Sequence, residues 1–133
     1  MTSQSTIPRG HTAADEATIR RYFEAFNNNA FIAAAALFSP QGKLSPPFEK
    51  AIVGRAAIAR YLEQKAEEMT AYPQEPYADS SEDGQLHVVG QVDAIAFKVG
   101  VEWIFSLTAS SEIQSLSVRL RASMEELLTI RPD

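Results

Sequence analysis

The chain has 133 residues, 45% of them hydrophobic and 22% charged, with a formal net charge of −5. That length fits one domain whose core needs no covalent staples. The acidic balance argues against a nucleic-acid binder or a protein that docks on an acidic membrane surface. The lack of cysteine excludes disulfides, thiol nucleophiles and thiolate metal sites, and fits a cytoplasmic protein.

Residues 1–12 are polar, have no apolar stretch of the signal-peptide kind, and read as a flexible lead-in to one domain over 13–133. No window approaches the roughly 20 apolar residues of a membrane-spanning helix, so the protein is not expected to be integral to a membrane. Thr12 can cap a first helix, with Asp15 and Glu16 well placed in its first turn. Ile19, Tyr22, Phe23 and Phe26 follow helical spacing and form one apolar stripe. Asn27-Asn28-Asn29 breaks that helix. An alanine-rich helix is expected over Ala30–Phe38, then a turn at Ser39-Pro40-Gln41-Gly42.

Pro46-Pro47-Phe48 follows. Neither proline can donate to a sheet ladder, so the segment reads as a stiff, extended edge. Ile52-Val53-Gly54 restores an apolar run, and a third helix is expected over Arg55–Met69, buried through Ile58, Leu62, Ala66 and Met69. Tyr72–Tyr77, with two prolines, reads as edge-like, and Ser80–Gly84 as a turn. The period then changes to two. Three strands are expected, over Leu86–Phe97, Val99–Leu107 and Ile113–Leu120. Val99, Val101, Trp103, Phe105 and Leu107 share one face. Ser123–Leu128 reads as a closing helix. Helices first and strands later make an α+β arrangement, a curved antiparallel sheet packed on three helices. Its cone-shaped apolar interior is the natural place for a ligand.

Read from the residues alone, Tyr22 and Trp103 are ambiguous. Each fits a core anchor, and each carries a donor that must find an acceptor when buried. His87 reads as a solvated sheet-face histidine without metal-ligand spacing. The acids nearest the interior, Glu24, Asp93 and Glu102, are the candidates for an isomerase base, although the strand parity of Asp93 and Glu102 points them outward. No phosphate loop, nucleophile elbow or zinc-binding helix is present.

The order helix, asparagine break, alanine-rich helix, Pro-Pro-Phe edge, Ile-Val-Gly-Arg, helix and antiparallel strands resembles the nuclear transport factor 2-like (SnoaL-like) fold. More narrowly it resembles the C-terminal domain of the orange carotenoid proteins and its stand-alone homologues. The match runs over about Glu16–Arg131 and is strongest at Tyr22–Leu37, Leu44–Tyr61, Val89–Val92, Trp103 and Ala122–Leu128.

The resemblance implies a ketocarotenoid bound non-covalently in the cone, for carriage, transfer and photoprotection by quenching of reactive oxygen. Tyr22 and Trp103 stand where the family places the two donors to the carotenoid carbonyl. Phe26, Phe48, Leu62, Val101 and Phe105 are the expected apolar lining. A homodimer sharing one pigment and a carotenoid-donating or -accepting helical protein are the implied partners, with no metal and no catalytic residue. The alternatives are a small isomerase or hydrolase of the same fold, or a ligand-free homodimerisation module. Three departures from the pattern stand out. The Ala94–Gly100 connection is short and lacks the usual Pro-Trp-Phe-Gly-Gly-like wall. Lys65 replaces an acidic docking residue, and Ala66 stands where some homologues carry a cysteine, which excludes thiol-controlled dimerisation.

Overall fold

The computed structural model describes residues 12–75, 78–79 and 84–121. The expected lead-in, His11, the bulk of the Ser80–Gly84 turn and the Ser123–Leu128 helix lie outside these residues.

The first helix, α1 (Ala13–Asn27), starts at a capping box. Asp15 N–H donates to Thr12 Oγ1 and Thr12 N–H to Asp15 Oδ2, both at 3.1 Å. The helix buries Ile19, Tyr22, Phe23 and Phe26, as their spacing predicts. Its far end is locked by Asn27. The side-chain amide donates to Ala71 O at 2.9 Å and its carbonyl accepts from Ala71 N at 2.7 Å. A helix terminus is thereby tied to a strand by the two-bond pattern that strands use with each other.

The alanine-rich helix α2 spans only Phe31–Ala36. The expected Phe38 terminus and Ser39–Gly42 turn are both corrected: these residues form β1 (Phe38–Ser45). Pro40 is tolerated because the β1 register is broken between Phe38 and Lys43, where the ladder asks for no donor. Gly42 is required there, since a Cβ would lie 2.8 Å from Ile113 O.

After the Pro46–Lys50 turn come β2 (Ile52–Val53) and α3 (Arg55–Lys65). The third helix stops four residues earlier than expected. The chain turns at Ala66–Glu68 to bring β3 (Thr70–Pro73) beside Asn27 and the sheet. The remaining strands are β4 (Ala78–Asp79), β5 (Leu86–Asp93), β6 (Lys98–Leu107) and β7 (Ile113–Arg121). The expected Leu86–Phe97 strand ends at Asp93, where Ala94 N–H donates to Phe97 O at 2.8 Å and closes a tight turn.

One sheet runs in the order β2-β1-β7-β6-β5-β3, with β4 also paired to β5. β1 and β7 are parallel and the other pairs antiparallel. The helices cover the face that carries Val88, Val101, Trp103, Phe105 and Leu116. This is the α+β, cone-shaped architecture expected from the sequence. On the opposite face, Ile104 is buried to 5% exposure. His87 sits beside it and is not a freely solvated histidine: its Nδ1 lies 2.7 Å from Glu102 Oε2, with both side chains half-buried. That partner turns Glu102 away from the cone.

Candidate functional site

A cavity of about 350 Å³ opens between α1, α3, the Pro46–Glu49 turn and the inner face of β5–β7. The volume lies at the low end of small-molecule sites, which span roughly 300–1,000 Å³. Its wall is mostly apolar. α1 contributes Tyr22 and Phe26, α3 contributes Tyr61 and Leu62, and the sheet contributes Val101 and Trp103.

Tyr22 and Trp103 are 2% and 3% exposed. Neither the Tyr22 hydroxyl nor the Trp103 indole N–H has a hydrogen-bond partner among the described residues, and neither is among their solvent-sealed unpartnered atoms, Ser39 Oγ and His87 Nε2. Both donors therefore face the cavity. Aromatic packing fixes where they point. The Phe23 ring meets Trp103 edge-on at 4.8 Å and Tyr22 at 5.5 Å, and Phe105 meets Tyr22 edge-on at 5.9 Å. Gly90, opposite Val101 on β5, makes room for the indole: a Cβ there would overlap the Tyr72 carbonyl and lie 3.0 Å from Trp103 Cζ3.

The expected lining is redrawn in two places. Phe105 is fully buried and does not line the cavity; its ring packs against Tyr22 and Phe23 behind the lining. Phe48 reaches the cavity only at its mouth, with 93% of its surface exposed and φ at +64°. Phe26, Leu62 and Val101 do line it.

Three polar side chains near the mouth were not among the expected lining residues: Glu49, Tyr61 and Lys65, the last noted in the sequence only as a departure at the docking position. Tyr61 and Lys65 flank the Ile58/Leu62 stripe at helical spacing, and that spacing was the signal that could have found them. Tyr61 Oη donates to Glu49 Oε2 at 3.2 Å. Burial, then the Glu49 charge and hydrogen bond, push the Tyr61 pKa up to about 12. Tyr22 is pushed higher still, first by burial and then by Tyr61. Both phenols are neutral at physiological pH, so Tyr22 keeps the proton it would donate. Phe97, delivered by the tight Ala94–Phe97 turn, also lines the cavity. The candidate bases Glu24, Asp93 and Glu102 are not among the lining residues.

Against known families, residues 19–111 match the SnoaL-like domain. The chain is a SnoaL-like domain. Orange carotenoid-binding protein from Synechocystis is 32% identical to it over 118 residues, which are 84% of this chain and 37% of the relative. The domain thus spans little more than a third of that curated relative's length. Among solved structures, the Anabaena (Nostoc) orange carotenoid protein binding canthaxanthin superposes with a TM-score of 0.73 at 27% identity, over 97% of this chain and 43% of the other. The match belongs to the C-terminal-domain-like part of these proteins, as the sequence resemblance indicated. An epoxide hydrolase/cyclase-like enzyme of salinomycin pyran-ring formation has a TM-score of 0.70 at 20% identity, over 84% of this chain and 92% of that one, and shares the fold alone.

No group of three or more potential metal ligands exists among the described residues of this SnoaL-like domain. None of its described helices is long and apolar enough to cross a membrane.

Proposed function

We propose that this SnoaL-like domain binds a ketocarotenoid in its cavity. Tyr22 and Trp103 donate to one carbonyl oxygen, and the polyene leaves through the mouth past Phe48. The single observation that carries this reading is the pair of buried donors, unpartnered among the described residues and directed into one apolar cavity. A neutral carbonyl oxygen has the two lone pairs that such a pair requires. Each hydrogen bond contributes about 0.5–1.5 kcal/mol net, so burial of apolar surface at roughly 25 cal/mol per Å² provides most of the affinity.

A carotenoid is longer than this cavity. The second end must therefore be covered by another protein surface, either a second copy in a homodimer or a helical protein that gives or takes the pigment. In this reading the protein is a cytoplasmic carotenoid carrier that contributes to photoprotection and carries out no catalysis of its own.

Production of the full chain in a canthaxanthin-making host tests the proposal. The expected result is a visible absorption band that co-purifies with the protein and is lost in the Tyr22→Phe/Trp103→Phe double variant. A colourless wild-type protein would sink carotenoid binding; an unchanged band in the folded double variant would sink the two named contacts.

A further inference from the structure

The cavity is small for the pigment proposed to enter it. At about 350 Å³ it lies at the low end of single-ligand sites, whereas canthaxanthin has two end rings joined by a long polyene. One subunit therefore encloses an end ring and the start of the chain. The buried part of the wall is suited to such a ring. Phe26, Leu62, Ala66 and Val101 are buried and apolar, and Tyr22 and Trp103 carry the only hydrogen-bonding groups among the buried lining side chains. The charged lining residues, Glu49 and Lys65, are both exposed.

Three kinds of small ring fare differently against that wall. A hydrocarbon ring fills it but leaves buried donors without an acceptor, which is costly. A ring bearing a carboxylate gives up its hydration to a buried wall that has no charged side chain to meet it. A neutral ring ketone does neither. Its carbonyl oxygen has lone pairs for the phenol, which its burial keeps protonated, and for the indole N–H, while its carbons lie against apolar side chains.

We propose that a single subunit also binds short, neutral ring ketones of the trimethylcyclohexenone class, with no polyene and no second protein to complete the site. This inference rests on the donor contacts of the ketocarotenoid reading, not on its polyene. A whole pigment outgrows the cavity and needs a second cover; a ring ketone with a short tail does not. The class includes the ring-bearing fragments left when a carotenoid chain is cleaved, so the same cavity serves such fragments as well as the intact pigment.

The test titrates pigment-free full chain with a trimethylcyclohexenone (the end ring of canthaxanthin without its polyene), the same ring without the ketone, and the same ring with a carboxylate in its place. Binding is followed by the fluorescence of Trp103, the sole tryptophan, and by ligand-observed NMR. For a ligand of about ten heavy atoms a Kd of about 0.1–1 mM is expected for the ketone. The hydrocarbon and the carboxylate should each bind about tenfold more weakly. Tyr22→Phe should remove most of the preference for the ketone while leaving the hydrocarbon affinity unchanged, which a merely unfolded variant could not do. The ketone Kd should not change over a tenfold range of protein concentration. No ketone binding, equal affinity for ketone and hydrocarbon, tightest binding of the carboxylate, or a preference unchanged in Tyr22→Phe overturns the inference, as does affinity that rises with protein concentration. If the chain still colours in the canthaxanthin-making host, the ketocarotenoid reading survives that failure. Ketone binding by a chain that stays colourless in that host overturns the carotenoid reading and leaves the ring-ketone site standing.

Discussion

The Phe23 ring stands edge-on to the Trp103 indole, with centroids 4.8 Å apart and planes at 78°. One residue comes from the first helix and the other from a strand 80 positions later in the chain. Phe23 is buried in the core beside Tyr22, so it packs against both proposed donors.

Phe23→Leu should therefore lower stability by about 1–3 kcal/mol, from lost ring contact and an imperfectly filled space. Trp103 is the sole tryptophan, so its fluorescence reports on the same site. The expected outcome is a lower urea midpoint together with a shifted emission maximum. A lower midpoint with unchanged emission would mean that Phe23 stabilises the core without orienting the indole.

Asn27 joins α1 to β3 through two hydrogen bonds to Ala71. Asn27→Ala should cost about 1–3 kcal/mol, because it leaves partly buried backbone groups of Ala71 without their partner. Amide exchange should quicken along Thr70–Pro73 more than along β6. Equal acceleration everywhere would show that the clamp acts only through global stability.

Phe48 carries left-handed backbone geometry on an almost fully exposed side chain. Glycine adopts that geometry without steric cost. Phe48→Gly should accordingly raise thermal stability modestly, by up to about 1 kcal/mol, since little buried surface is lost. A drop of comparable size would show that the ring contributes packing at the cavity mouth that outweighs its strain.

Tyr61 and Tyr22 both have folded-state pKa values raised above the unfolded value, Tyr61 to about 12 and Tyr22 beyond it. The native state then holds protons that the unfolded state releases. Stability from this source is complete below about pH 10 and falls as pH rises through the folded values. Denaturant melts from pH 9 to about 12 should show that decline, and Tyr22→Phe should flatten it. Tyrosinate absorbance that completes its rise near pH 10 in the folded protein would contradict both shifts.

Much of the fold was legible because its signals are local. The α1 stripe, the Thr12 cap and the last two period-two strands each depend on neighbours a few residues apart, and each lies where its pattern placed it. β1 was not legible. Its Ser39-Pro40-Gln41-Gly42 sequence has every mark of a turn, and only the broken register against β7 allows it to be strand. The early end of α3 has the same kind of cause, because Ala71 must reach Asn27.

The site divides along the same line. The sequence by itself determined that Tyr22 and Trp103 lie on buried faces, because helix and strand periodicity assign a residue to a face without reference to the rest of the chain. It also carried the family resemblance. Only the tertiary structure decided that both residues meet in one cavity, that Phe105 lies behind its lining, and that Phe48 stands at the mouth. It likewise brought Glu49, Tyr61 and Phe97 to the lining. Those outcomes depend on which elements pack together and how closely, a relation between distant segments that no local pattern records.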